Sequence, residues 1–333
     1  LVGLIAASPL LRSQPDAHYW QQAVDYKMQV DLNPENHRFS GKQKLTYYNN
    51  SPDTLKVLFY HLYFNAFQPN SMMDVRSRNI PDPDKRVGDR IEKLGKDEQG
   101  EQEVISLSLN GTACFFENHQ TLLKVLLPSP ILPGDTALLE MEFRGQVPVQ
   151  IRRSGRDNKE GVDYTMTQWY PKIAAYDEDG WHADPYVARE YYAPYGTFEV
   201  DITLPSQYRV AATGTLQNFA NYWQEESREE DLVLYNLIES EEKTRSWKFR
   251  AENVHDFAWA ADPEYLHEAQ EFDKDLMLHF FYLEDNKENW HRLPRYTQQF
   301  FKEMNQRFGR YAYPQFSVIQ GGDGGMEYPM CTM

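Results

Sequence analysis

The residues with the most chemical promise stand together as Gly321-Gly322-Asp323-Gly324-Gly325-Met326-Glu327-Tyr328-Pro329, directly after the strand-like run Phe316 to Gln320. Glycines carry no side chain, so a second backbone can approach and bond to the bare N–H and C=O groups. A single carboxylate, Glu327, follows. The arrangement suits a peptide lying along the strand with its cationic amino terminus meeting Glu327. By pattern alone, a glycine-rich turn with one exposed Glu is the simpler reading.

Other chemistries find less support. A zinc hydrolase of the HExxH type needs two imidazoles one helical turn apart. The histidines stand at 18, 37, 61, 119, 182, 255, 267, 279 and 291, never so close together. His267 and Glu271 have the i, i+4 spacing of a shared ion, but no third ligand is suggested, and a solvated charged segment is the plainer reading. Asp177-Glu178-Asp179 reads as a turn held by side-chain to backbone bonds rather than a cation site. The glycine segment lacks both the GxGxxG spacing and a Walker lysine, and no GxSxG elbow occurs. Cys114 and Cys331 form no CxxC, so a thiolate zinc site or redox dithiol is unsupported, and a disulfide between them is only an option.

These residues are embedded in a chain of 333 with 41% hydrophobic and 25% charged residues, a globular balance of a length that favours two domains. Lys plus Arg number 34 against 50 Asp plus Glu, giving −16, a charge that repels nucleic-acid phosphates and anionic lipid headgroups. Leu1 to Ala7 is apolar and too short to span a bilayer. With the small and polar residues after it, residues 1–14 read as a signal-peptide remnant, so the protein is expected to be exported.

From Val24 the text is strand-like. Val24, Tyr26, Met28, Val30 and Leu32 alternate with polar residues. Further strands are expected at Leu55 to Phe67, Val104 to Leu109, Leu122 to Leu127, Ala137 to Phe143, Thr197 to Leu204, Leu232 to Ile238 and Ser246 to Ala261. No helical period of useful length occurs before about residue 263. Pro81 to Gln102 and Asn221 to Asp231 read as solvated loops. Gln168 to Gly196 is irregular yet holds eight aromatics in 29 positions, which marks a loop packed against something. After about Asp262 the grammar changes. Leu276 to Leu283 is a strand, and Trp290, Leu293, Tyr296, Phe300, Met304 and Phe308 recur at spacings of three or four as one apolar helix face. The expected fold is mainly β: a large multi-sheet domain over residues 15–262, then over 263–333 the opening of an α+β domain.

Gly324 to Pro329, GGMEYP, resembles the GxMEN exopeptidase motif of the gluzincin metallopeptidases, the zinc aminopeptidase family of membrane alanyl aminopeptidase (aminopeptidase N) and leukotriene hydrolase. Thr167-Gln168-Trp169-Tyr170-Pro171, with Tyr176-Asp177-Glu178 nearby, looks like that family's glutamine segment and the turn after it. Ala212-Thr213-Gly214-Thr215-Leu216 looks like its TGxL hairpin, and His255-Asp256-Phe257-Ala258-Trp259 like the strand closing its first domain. The likenesses occur in family order over roughly residues 20 to 333. Tyr328 departs from the motif's usual Asn.

The resemblance implies a zinc-dependent aminopeptidase that removes N-terminal residues from peptides, with a thermolysin-like catalytic domain beginning at the end of this sequence. Glu327 and Gln168 would hold the free α-ammonium, backbone groups of Gly324, Gly325 and Met326 would align the first peptide unit, and Tyr328 would line the site. In the family the HExxH helix and a distant glutamate follow the glycine segment, so the zinc ligands are expected outside this sequence. Some relatives keep the β domain as a non-catalytic interaction scaffold, which is the alternative reading. A carbohydrate-binding module, resting on exposed-looking aromatics alone, ranks last.

Overall fold

Alternation decides the first layer. In Ala23–Asn33, every second residue from Val24 to Leu32 is buried, and the strand lies between Arg38–Tyr48, antiparallel, and Tyr195–Pro205, parallel. The computed structural model describes residues 19–81, 85–187, 192–322 and 329–333; the proposed leader, residues 1–14, lies outside them. The strand order of this eight-stranded sheet is Thr215–Leu216, Thr244–Val254, Tyr195–Pro205, Ala23–Asn33, Arg38–Tyr48, Thr136–Gln146, Glu101–Leu109, Thr112–Ala113. Its inner face is set by ring-on-glycine contacts. A Cβ on Gly41 would meet the Phe143 ring at 2.4 Å, and one on Gly145 would meet the Phe39 ring at 2.3 Å.

Two four-stranded sheets and a small hairpin complete the β-rich part. One sheet runs Arg209–Ala212, Trp259–Asp262, Tyr164–Met166, Gly155–Arg156; the other runs Lys172–Ile173, Leu55–His61, Leu122–Ile131, Phe115–His119. A single large cluster of buried apolar residues joins these sheets, with Trp169, Trp247 and Trp259 fully buried. The chain is mainly β with several sheets, as its sequence indicates.

A fifth sheet is mixed: Trp223–Glu229, Leu232–Leu237, Tyr265–Asp273, Leu276–Leu283 and Gln315–Ile319, the last pair parallel. Leu232 pairs with Gln270 and Tyr235 with His267, so a hairpin from before residue 262 extends a sheet built after it. The Leu293–Phe308 helix packs on this sheet through Phe301, which meets Phe316 and Tyr311 edge-on.

Several local expectations are corrected. The run Leu55 to Phe67 is a strand only to His61; Tyr63–Ala66 is a buried 3-10 turn, a distinction that a continuous apolar run cannot signal. Ser246 to Ala261 breaks into Thr244–Val254 and Trp259–Asp262. Asn221 to Asp231 contains the edge strand Trp223–Glu229, exposed after Trp223, and its polar face hid it. A helix at Met72–Asn79 precedes residue 263; it is capped by Ser71, whose side chain accepts from Asp74 N, rather than announced by an apolar stripe. The expected stripe packs only at its start, where Trp290 stacks on Tyr282 and Leu293 meets the same cluster. Beyond that it is exposed, Tyr296 60%, Phe300 52% and Phe308 77%, and Phe301 takes over the packing. Both cysteines are free.

Three imidazoles are held neutral, His61 and His267 buried and His279 half-buried. His61 is pushed down from 6.5 to about 4 by burial and then by the charge of Lys172. Burial takes His279 to about 4, and His267, 3.0 Å from His279, is held well below 6.5 by burial, then His279, then Arg209. Below 6.5 the unfolded chain takes up these protons and the fold does not. Their contribution to stability is therefore full above that pH and is lost as pH falls toward the folded values, by roughly 1.4 kcal/mol per pH unit for each group. Urea midpoints measured at about pH 7, 6 and 5 should decline progressively, and His279→Phe should flatten the decline. Equal midpoints at the two ends of that range would contradict neutral burial.

Candidate functional site

Gln168 sits at a backbone position that few residues accept, with φ 55 and 3% exposure. The segment after it is fixed by a buried polar network. The Lys172 ammonium lies 2.6 Å from Asp256 Oδ2, with side-chain exposures of 2% and 1%. Asp256 Oδ1 accepts from the Tyr170 hydroxyl at 2.8 Å and from Phe257 N at 2.8 Å. Burial, then the charge of Asp256, holds the Tyr170 phenol well above its ordinary pKa, so it remains a donor. Trp169 Nε1 donates to Phe257 O, Gln102 Nε2 to Trp169 O, Gln43 Nε2 to Pro171 O, and Ile173 N to the Tyr26 hydroxyl. Residues 169–173 thus cross the interior with side-chain and backbone partners from several strands.

The network leaves the Gln168 amide half-used. The Tyr186 hydroxyl lies 3.4 Å from Gln168 Oε1, while Nε2 is buried with no partner among the described residues. A hydroxyl both donates and accepts, so an amide turned by 180° would still meet Tyr186 and would put its oxygen where Nε2 now lies, a buried position. Tyr186 is placed by its own N–H, bonded to Thr121 Oγ1, and by edge-on contact with Tyr63.

The glycine segment approaches the same stretch of chain. Thr165 and Thr167 line a cleft of about 470 Å³ together with Trp259, Phe300, Gly321 and Gly322. A Cβ on Gly322 would meet the Asn158 side chain at 2.2 Å and Gln150 Oε1 at 2.3 Å, so those amides close on a bare backbone and would have to move for any side chain there. The strand leading into it is held at its end: Gln320 N donates to Phe281 O, and the Tyr265 hydroxyl donates to Gln320 O. The Thr213-Gly214 turn clamps it from the other side. Gly214, with φ 83, donates through N to Thr332 Oγ1 and accepts through O from Gln315 Nε2.

Of the expected site residues, Gln168 is placed as above. Glu327, Gly324, Gly325, Met326 and Tyr328 lie outside the described residues. Tyr186, the Lys172–Asp256 pair and Gly322's tight seat went unrecognised in the sequence, where single polar residues carry no periodic signal. His267 and Glu271 lie on one strand, where an i, i+4 spacing means about 13 Å, so they cannot share an ion. The acidic triplet forms the hairpin expected of it, with Asp179 N donating to Asp177 Oδ1. Among the described residues no group of three or more His, Cys, Asp or Glu side chains could hold a metal, so the implied zinc has no seat among them. No helix among them is long and apolar enough to cross a membrane.

No family model and no curated protein matches the sequence. Solved structures with a similar fold are M1 zinc metallopeptidases. A two-domain member bound to L-tryptophan has a TM-score of 0.53 at 14% identity, over 91% of this chain and 57% of that one. The Deinococcus radiodurans enzyme bound to a Tyr-Ser-Ala substrate gives 0.52 at 14% identity, over 90% of this chain and 56% of its own. A two-domain form bound to L-arginine gives 0.52, also at 14%. The likeness is one of fold, and this chain spans little more than half the length of those enzymes.

The buried pair invites a direct test. Asp256→Ala leaves an ammonium buried without its counter-charge and should lower unfolding free energy by about 3–5 kcal/mol. The double variant Lys172→Met, Asp256→Leu should recover only part of that loss, because the Tyr170 hydroxyl and Phe257 N still lose their acceptor. Chemical denaturation of the three proteins measures both, and a loss below about 1 kcal/mol in the single variant would remove the pair from its positioning role.

Proposed function

We propose that this chain is part of a zinc-dependent aminopeptidase and supplies the anchor for the substrate's free α-amine. The observation that carries the reading is the half-used Gln168 amide, buried beside a cleft that its neighbours Thr165 and Thr167 share with Gly321 and Gly322. Glu327 and Gln168 hold the α-ammonium, backbone groups of Gly324, Gly325 and Met326 align the first peptide unit, and Tyr328 lines the site. The chain then acts as a ruler: charge at one end fixes where the first peptide bond lies. The fold likeness to zinc metallopeptidases, some with amino acids or a peptide bound, supports this reading.

The metal chemistry belongs to the rest of the parent protein. The exposed Tyr296, Phe300 and Phe308 faces, an apolar stripe with no cover among the described residues, suit packing by further catalytic-domain elements. We keep the division at residue 262, with the Trp223–Leu237 hairpin reaching across it, and read the parent as exported on the strength of residues 1–14.

A charge-assisted hydrogen bond of the kind assigned to Glu327 contributes about 1.5–3 kcal/mol, or one to two orders of magnitude in rate. In the full-length protein, Glu327→Gln should therefore lower kcat/KM by about 10–100-fold on peptides with a free amine, and Gln168→Ala by a smaller factor. Residual turnover of N-acetylated peptides should not change. Equal kcat/KM for wild type and Glu327→Gln would remove the anchor assignment.

A further inference from the structure

The end of the first sheet carries a second cleft, of about 400 Å³, distinct from the one lined by Thr165 and Gly322. Its walls are aromatic. Tyr19, Tyr192 and Tyr195 are 70%, 58% and 45% exposed, unusually bare for rings, and all three converge on this one cleft. Trp20 stacks on Tyr176 at 5.8 Å between centroids, and Tyr195 stacks on His255 at 5.4 Å, so two of the rings are each braced by another lining residue.

The polar groups around it are mostly engaged with the protein. The Tyr192 hydroxyl donates to Asp177 Oδ2 at 2.7 Å, and the Tyr176 hydroxyl to Asp53 at 2.8 Å. Gln22 is used at both ends, by Asn49 and by Asn50 N, and Gln21 bonds the Tyr19 hydroxyl. Asp177 is spent on Tyr192, His182 and Asp179 N. What remains for a guest is ring faces, the polar tips of Trp20 and Tyr195, and the carboxylate of Glu178 at the exposed rim. The floor does not oppose a cation, because burial and then Lys172 hold His255 below its ordinary value and therefore neutral at pH 7.

A sugar needs directed hydrogen bonds, and this cleft has committed most of its own. A charged head covered in alkyl groups needs none; it needs electron-rich ring faces and a nearby negative charge. We propose that the cleft between Tyr19, Trp20, Tyr192 and Tyr195 is a binding site for an alkylated organic cation of the quaternary ammonium class. Such a head carries no N–H, so it cannot form the hydrogen bonds assigned to the Glu327 anchor, and variants at the two sites are tested separately.

Titration of the protein with benzyltrimethylammonium, followed by Trp fluorescence and by ligand-observed NMR, tests the site. Saturable binding is expected, at least about tenfold tighter than that of the neutral isostere neopentylbenzene. Tyr19→Leu with Tyr195→Leu keeps apolar volume and removes the ring faces, and should weaken the cation about tenfold; Glu178→Gln should weaken it by a smaller factor, more at low salt than at high salt. Circular dichroism confirms that the variants fold. The proposal is overturned by equal affinity for the cation and its isostere, by unchanged binding in the double tyrosine variant, or by saturable binding of maltotriose without the cation.

Discussion

Everything in the candidate site depends on carrying one irregular stretch of backbone through an apolar interior. Water cannot satisfy the polar groups of residues 168–173 there, and an unpaired buried group costs about 1–3 kcal/mol. The Lys172–Asp256 pair solves the problem with charge. It fixes where Tyr170 and Phe257 N must point, and the strand partners Gln43, Gln102 and Tyr26 close the remaining bonds. Its worth lies less in net stability than in uniqueness: no shifted register of this segment keeps both charges paired. Gln168 inherits its position from that restriction, which is why it holds a left-handed backbone without being glycine.

The same logic of filled space governs the approach of the glycine segment. Gly41 and Gly145 accept aromatic rings within the first sheet, while Gly322 accepts the side chains of Asn158 and Gln150 from a neighbouring loop. Ring-on-glycine contacts lock the inner face of a sheet; amide-on-glycine contacts bring Gly322 against a second part of the chain. In each case the missing Cβ is the complementary surface.

Legibility in the sequence followed the reach of the interactions. Long strands with one buried face, such as Ala23–Asn33 and Thr136–Gln146, write their burial into alternate positions and were readable. The Tyr63–Ala66 turn was not, because a segment buried on all sides loses its period. The Trp223–Glu229 strand was hidden by its own exposure, its polar side chains being those of an edge rather than a loop. The Leu293–Phe308 helix follows its period, yet the expected stripe packs only through Trp290 and Leu293, and past them Phe301 rather than Tyr296 and Phe300 meets the sheet. In the candidate site, the resemblance pointed to Gln168, but Tyr186 and the Lys172–Asp256 pair are long-range partners, 18 and 84 positions apart in their respective contacts, and no local pattern encodes them.

The mixed sheet carries a consequence for how the molecule comes apart. Trp223–Glu229 and Leu232–Leu237 belong by sequence to the earlier part of the chain, yet their ladder is completed by Tyr265–Asp273 from the later part. A swing of one part against the other would have to break that run of backbone bonds, so the junction behaves as a weld and not as a hinge. Cutting the chain near residue 262 severs the connection but leaves the ladder in place, and the two pieces should stay together as a nicked complex.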